Sequence, residues 1–114
     1  MESKRLAKLL GVDKVEVQIR EIKSRRVNDI VAYQIDQKGK FDYSKSYDAK
    51  LMMCVEGIVE PDLRNKDLQA HFECKSAKDL CEKLFGMEIT EISDAISLLS
   101  GVDTEEDHEE TVKN

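Results

Sequence analysis

Three side chains able to ligate a metal, His71, Cys74 and Cys81, stand close together in the sequence. Structural zinc needs four converging ligands. Only three are offered, and the other histidine, His108, lies far off in a run of acids. Cys81 falls on an apolar helical stripe, as does Cys54, which makes both small buried hydrophobes rather than ligands. A nucleophilic thiol wants an electropositive, partly exposed setting and a histidine base. Cys74, beside Lys75 and near Lys78, is the exposed thiol, oxidisable without being an active site. The acid pairs Glu88/Glu91 and Asp103/Glu106 suit solvated faces and helix starts better than acid-base work. The five glycines are scattered singly, so no phosphate-cradling loop is present. The expectation is therefore a protein that is not an enzyme and carries no metal and no cofactor.

Without a reactive centre, the elements themselves must explain the function. The 114 residues suit one domain. Aromatics make up 5% and tryptophan is absent, so the core must be aliphatic, with Met and Cys filling gaps. Charged residues reach 37%, which suits amphipathic helices with solvated outer faces. Three cysteines without regular spacing make no disulfide framework and read as reduced thiols. No stretch is long enough for a membrane span, and the apolar run at the start is too short for a secretory signal. The chain is expected to be cytosolic.

Charge is uneven. The segment from Val102 onward carries −5 of the net −6, and residues 1–26 hold eight Lys or Arg against four acids. Residues 1–101 are read as a single helical domain and 102–114 as an acidic, disordered tail. No aromatic residue lies among the basic charges of the start to stack on bases, which argues against nucleic acid. The run "SAKDLCEKLFGMEITEISDAISLLSG" has the rhythm of a DNA-reading helix-turn-helix. Its second helix carries Glu88, Glu91 and Asp94, and no Lys or Arg follows Lys83 until Lys113. Those acids oppose the phosphate attraction that supplies most of the affinity, so DNA binding is rejected.

Leu6, Leu9 and Leu10 predict one face of a short helix stopped by Gly11. "KVEVQIR" alternates, with Val15, Val17 and Ile19 on one side, a strand signal; one long helix from Val15 to Gln37 is the rival reading. Ser24 is a candidate N-cap for a helix through Val27, Ile30 and Val31 to about Gln37. From Ser46 the residues Tyr47, Leu51, Cys54, Val55 and Ile58 make one helical face, ending near Val59. "SAKD" at Ser76 to Asp79 fits a capping box, and Ala77, Leu80, Cys81, Leu84 and Phe85 follow as a stripe. A last helix, Ile89 to Ser100, turns Ile92, Ile96 and Leu99 inward, with Gly101 as its stop. The fold expected is mainly α, a small multi-helix domain with a short β element near the N-terminus, or α+β if that element is larger.

The chain's only proline, Pro61, disfavours helix at Glu60 and cannot donate a backbone hydrogen bond. With Asp62 or Asn65 capping a next helix, Lys66 to Phe72, the residues Glu60, Pro61 and Asp62 form a rigid helix corner. Candidate partner contacts are Met53, Ala49 and Phe72. Met53 lies roughly opposite Leu51 and Ile58 on its helix; it faces either outward to a partner or inward onto the N-terminal element.

The run "FDYSKSYDAKLMMCVEGIVEPDLRNKDLQAHFECKSAKDLCEKLF", followed by "EITEISDAISLLSG", resembles the XkdN-like tail assembly chaperones of phages and prophages of Gram-positive bacteria. Four segments carry the likeness: Tyr47 to Leu51, Glu56 to Leu63, Lys66 to Phe72 and Ile96 to Gly101. It spans about Phe41 to Gly101. Where the family commonly has Leu-Pro-Gly-Glu-Ile, this chain reads "LFGMEI", so Phe85, Gly86 and Met87 alter that turn. The resemblance implies a protein of the host cytoplasm that binds the tape-measure protein during tail assembly and is absent from the finished particle. In some relatives a frameshifted extension recruits tail-tube subunits, which makes the tail-tube protein a second implied partner. The contrasting expectation is a structural or connector protein that stays in the particle, or a small regulator.

Overall fold

A computed structural model describes residues 1–102 of the chain. Helix α1 (Lys4–Leu10) begins where the Ser3 hydroxyl accepts the Leu6 N–H at 3.0 Å and ends on Gly11, which is left-handed at φ 70°. Leu6 and Ala7 turn inward, whereas Leu9 and Leu10 stay about half exposed. The expected leucine face therefore buries one of its three members, the neighbouring Ala7 taking the rest of the contact.

The alternation after Lys14 is real but short. Val17 is buried with Val15 and Ile19 half-buried, and β1 (Gln18–Ile19) pairs antiparallel with β2 (Ile58–Glu60). One long helix through this region is ruled out. Helix α2 (Ser24–Tyr33) starts with Ser24 as its first residue, Lys23 occupying the cap position without a side-chain bond. Val27 and Ile30 are buried, and the helix stops at Tyr33, short of the expected Gln37. The chain turns at Gly39 (φ 80°), where the Asp36 carboxylate accepts the N–H groups of Lys38 and Lys40. A bridge between Ile35 and Phe41 closes this reversal.

Helix α3 (Ser46–Gly57) is the centre of the fold and packs against α2, α5 (Ala77–Phe85) and α6 (Ile89–Leu99). Because neighbours cover more than one side, Ala49, Leu51, Met53, Cys54 and Gly57 are all buried, and no single stripe describes it. Tyr47, assigned to the inner face, is 45% exposed. Gly57 sits where α3 and α6 approach: a Cβ there would lie 2.6 Å from Cδ1 and Cγ2 of Ile96.

The corner differs from a direct helix-turn-helix. Helix α3 stops at Gly57, two residues before the expected end, and Ile58 turns extended (φ −82°, ψ 122°) to join β2. After the cis Glu60–Pro61 bond, the Asp62 carboxylate accepts the Arg64 N–H at 3.1 Å. Asn65 then caps α4 (Lys66–His71) by accepting the Leu68 N–H at 3.0 Å. Buried Gln69 fastens the corner to this helix, its Nε2 donating to the Leu63 carbonyl at 2.8 Å. The Ser76 hydroxyl caps α5 through Asp79 N–H. A 3₁₀ turn, Gly86–Glu88, leads into α6, and Gly101 follows that helix at φ 80°. The fold is thus mainly α with a small two-stranded sheet. One aliphatic core runs from Leu6 to Ile96, with Phe85 its single fully buried aromatic ring. Among the described residues no helix is long and apolar enough to cross a membrane. The acidic tail expected beyond residue 101 lies almost wholly outside the described residues.

Candidate functional site: an exposed aromatic edge

The chain has six aromatic residues, and four of them, Tyr33, Phe41, Tyr43 and Tyr47, fall between residues 33 and 47. All four are exposed, Tyr43 to 82%. They sit at the end of α2, on the reversal through Gly39, on the 3₁₀ turn Tyr43–Lys45 and in the first turn of α3. The local sequence has physical reasons to hold them there. Asp42 accepts both the N–H (3.0 Å) and the hydroxyl (2.6 Å) of Ser44, and those bonds hold its carboxyl below the usual range.

The polar ends of two tyrosines are tied down while their rings remain outside. Tyr33 donates its hydroxyl to Asp48 at 2.9 Å, which raises its pKa, and Lys45 Nζ stands 5.2 Å from the ring centre. Asp48 also receives Lys78 at 3.0 Å; Lys78 first, and Tyr33 next, hold its carboxyl below the ordinary 3.8. Tyr47 donates to Glu82 of α5 at 2.8 Å. Desolvation of its phenol, reinforced by that carboxylate, pushes its pKa up to about 12. Phe41 and Tyr43 meet edge to face, their centroids 4.6 Å apart at 69°. Rings fixed in this way offer apolar contact area with little rotamer freedom left to lose.

The residues singled out by sequence are placed differently. Met53 and Ala49 are 7% and 4% exposed, so neither presents a free face; both are held in the layer between α2, α3 and α6. An outward Met53, one of the two orientations the sequence allowed, would require that α3 bury one side only. Phe72 is half-buried, its ring edge on to His71 with centroids 4.9 Å apart. Glu60, Pro61 and Asp62 line a shallow cleft shared with Asn65 and His71, on the segment that carries the turn and cap described above. Cys54 and Cys81 are fully buried and Cys74 half-buried. Hydrogen bonding with the free Cys81 thiol, together with burial, raises the pKa of the Cys54 thiol far above its ordinary value, and its Sγ–H also donates to the Ile89 carbonyl at 3.5 Å. Periodicity missed the aromatic edge because it searches for burial. The signal available was compositional: most of a scarce residue type gathered in one segment.

A helical scaffold that displays rings by anchoring their hydroxyls is suited to apolar association. The chain belongs to the phage XkdN-like tail assembly chaperone family, whose model matches residues 1–113. That family's role is one of assembly, not catalysis, and membership implies a tail protein as partner. Among solved structures, the crystal structure of the protein yqbn is similar at 16% identity and a TM-score of 0.62, over 90% of this chain and 85% of that one. At that identity the likeness establishes the fold. Comparison with curated proteins gives no match.

Proposed function

We propose that this protein binds the tape-measure protein transiently during tail assembly, in the host cytoplasm, and keeps it soluble until the tail is built. Family membership supports the assembly role. The observation that carries the client-binding reading is the aromatic edge at residues 33–47, where apolar rings are held outside a fold whose core is aliphatic. Aromatic side chains of this kind dominate contact energy in protein interfaces. The test is co-expression with the tape-measure protein of the same phage or prophage. Wild type is expected to keep that protein in the soluble fraction and to co-elute with it; Tyr43→Asp is expected to lose most of the co-elution while folding normally. A client equally soluble alone contradicts the reading. Mass spectrometry of purified particles separates it from the connector alternative: a chaperone is absent there, whereas a connector is present at a fixed copy number.

A further inference from the structure

A second surface lies where α1 meets the 3₁₀ turn Gly86–Glu88. The carboxylate of Glu88 caps this helix from across the molecule. Its Oε1 accepts the Ser3 hydroxyl at 2.5 Å, and its Oε2 accepts the N–H groups of Lys4 (3.1 Å) and Arg5 (3.2 Å). Arg5 in turn donates to the Lys83 carbonyl at 3.2 Å and lies over Gly86, where a Cβ would come within 2.7 Å of its Cζ. These contacts fix α1 against the end of α5 and leave Met87 outside, 94% exposed. Between Leu9 and Met87, backed by Phe85, lies a groove of about 640 Å³ edged by Arg5 and Lys8.

The charge around this groove is mixed with a basic excess: Arg5 and Lys8 line it together with one carboxylate, Glu88. Among the described residues, neither Arg5 nor Lys8 enters an ion pair. Glu88 keeps its negative charge while it bonds the α1 backbone, so it offsets one of the two cations. An apolar floor with a rim of small net positive charge therefore stands on a chain of net charge −6. An unbranched methionine adapts to varied apolar partners, and helix-in-groove recognition uses such a floor. The rim selects the charge of what lies beside it.

We propose that this groove binds an amphipathic helix whose apolar stripe is flanked by Asp and Glu. It rests on the chaperone reading for the source of that helix, a segment of the tape-measure protein.

The probes are two synthetic helical peptides of about 20 residues, with the same leucine stripe and either Glu or Lys flanks, titrated into the full chain and followed by methyl NMR. The Glu peptide is expected to shift the Met87 and Leu9 methyl signals and to bind at least about tenfold more tightly than the Lys peptide. Lys8→Glu, which makes the rim net negative, is expected to invert that preference, and Met87→Asp to abolish binding of the Glu peptide with the fold intact by circular dichroism. Four results overturn the proposal: equal binding of the two peptides, shifts confined to residues 33–47, no binding, or Met87 shifts with protein concentration alone, which would assign the groove to a second copy. The two readings fail separately. Wild type that cannot hold the tape-measure protein in solution defeats the chaperone function. A charge-reversed variant that holds it as well as wild type defeats only the groove.

Discussion

Glu88 links two segments more than eighty residues apart, and its carboxylate accepts two of the otherwise unpaired N–H groups at the start of α1 together with the Ser3 hydroxyl. Removing it leaves those donors to water or to nothing. Glu88→Ala is expected to cost about 1–2 kcal/mol, the usual range for a lost cap, and Glu88→Gln less, because an oxygen acceptor remains. Thermal unfolding of the three proteins checks this; equal midpoints would remove the cap from the account. Asp48 supplies a pH-dependent case. Lys78 and Tyr33 depress its folded pKa below the ordinary 3.8. A carboxylate depressed on folding stabilises above its unfolded pKa and loses that contribution as pH falls through the lower folded value. Wild type should therefore resist urea better than Asp48→Asn at pH 7; the gap should begin to shrink below about pH 4 and close once the pH is under the depressed folded value. A gap that persists in acid contradicts the Tyr33–Asp48–Lys78 link.

Between elements, Gly57 faces the Ile96 side chain across the α3–α6 contact. Gly57→Ala forces its methyl group against Ile96 and is expected to destabilise by about 1–3 kcal/mol, typical of overpacking. Adding Ile96→Val removes Cδ1, so the double variant should lose less than the two single losses combined; strict additivity in urea unfolding would mean the side chains do not meet. This glycine lies in the Glu56 to Leu63 segment that carries the family likeness, and close packing is a physical reason for it to stand there. Elements that face the core on one side were legible in sequence. The stripe of α5 and the caps at Ser76 and Asn65, with the stop at Gly11, appear where spacing and cap chemistry place them. Helix α3 was not legible in the same way, because burial on several sides erases the single stripe and hides Met53 and Ala49. The early end of that helix at Gly57 depends on pairing of Ile58 with Ile19, a contact between segments remote in sequence that local periodicity does not contain.

At the scale of the whole molecule, the aliphatic core and the exposed rings are two consequences of one distribution of residues. The interior is filled by Leu, Ile and Val around Phe85, while most aromatic side chains gather at residues 33–47 and remain outside. That concentration could be read from the sequence, but its exposure could not, since Tyr47 also fits a helical stripe. The family was legible because its segments are collinear with the corner, the caps and the α3–α6 contact. The central claim is that the chain works by presenting apolar surface to a tail protein. Hydrogen–deuterium exchange of the chain alone and in its co-purified complex with the tape-measure protein tests this most directly. The account predicts slowed exchange at the backbone of residues 33–47 in the complex, with the corner at Glu60 to Asp62 unchanged. Unaltered exchange at residues 33–47, with protection confined to the corner or to α4, would contradict it.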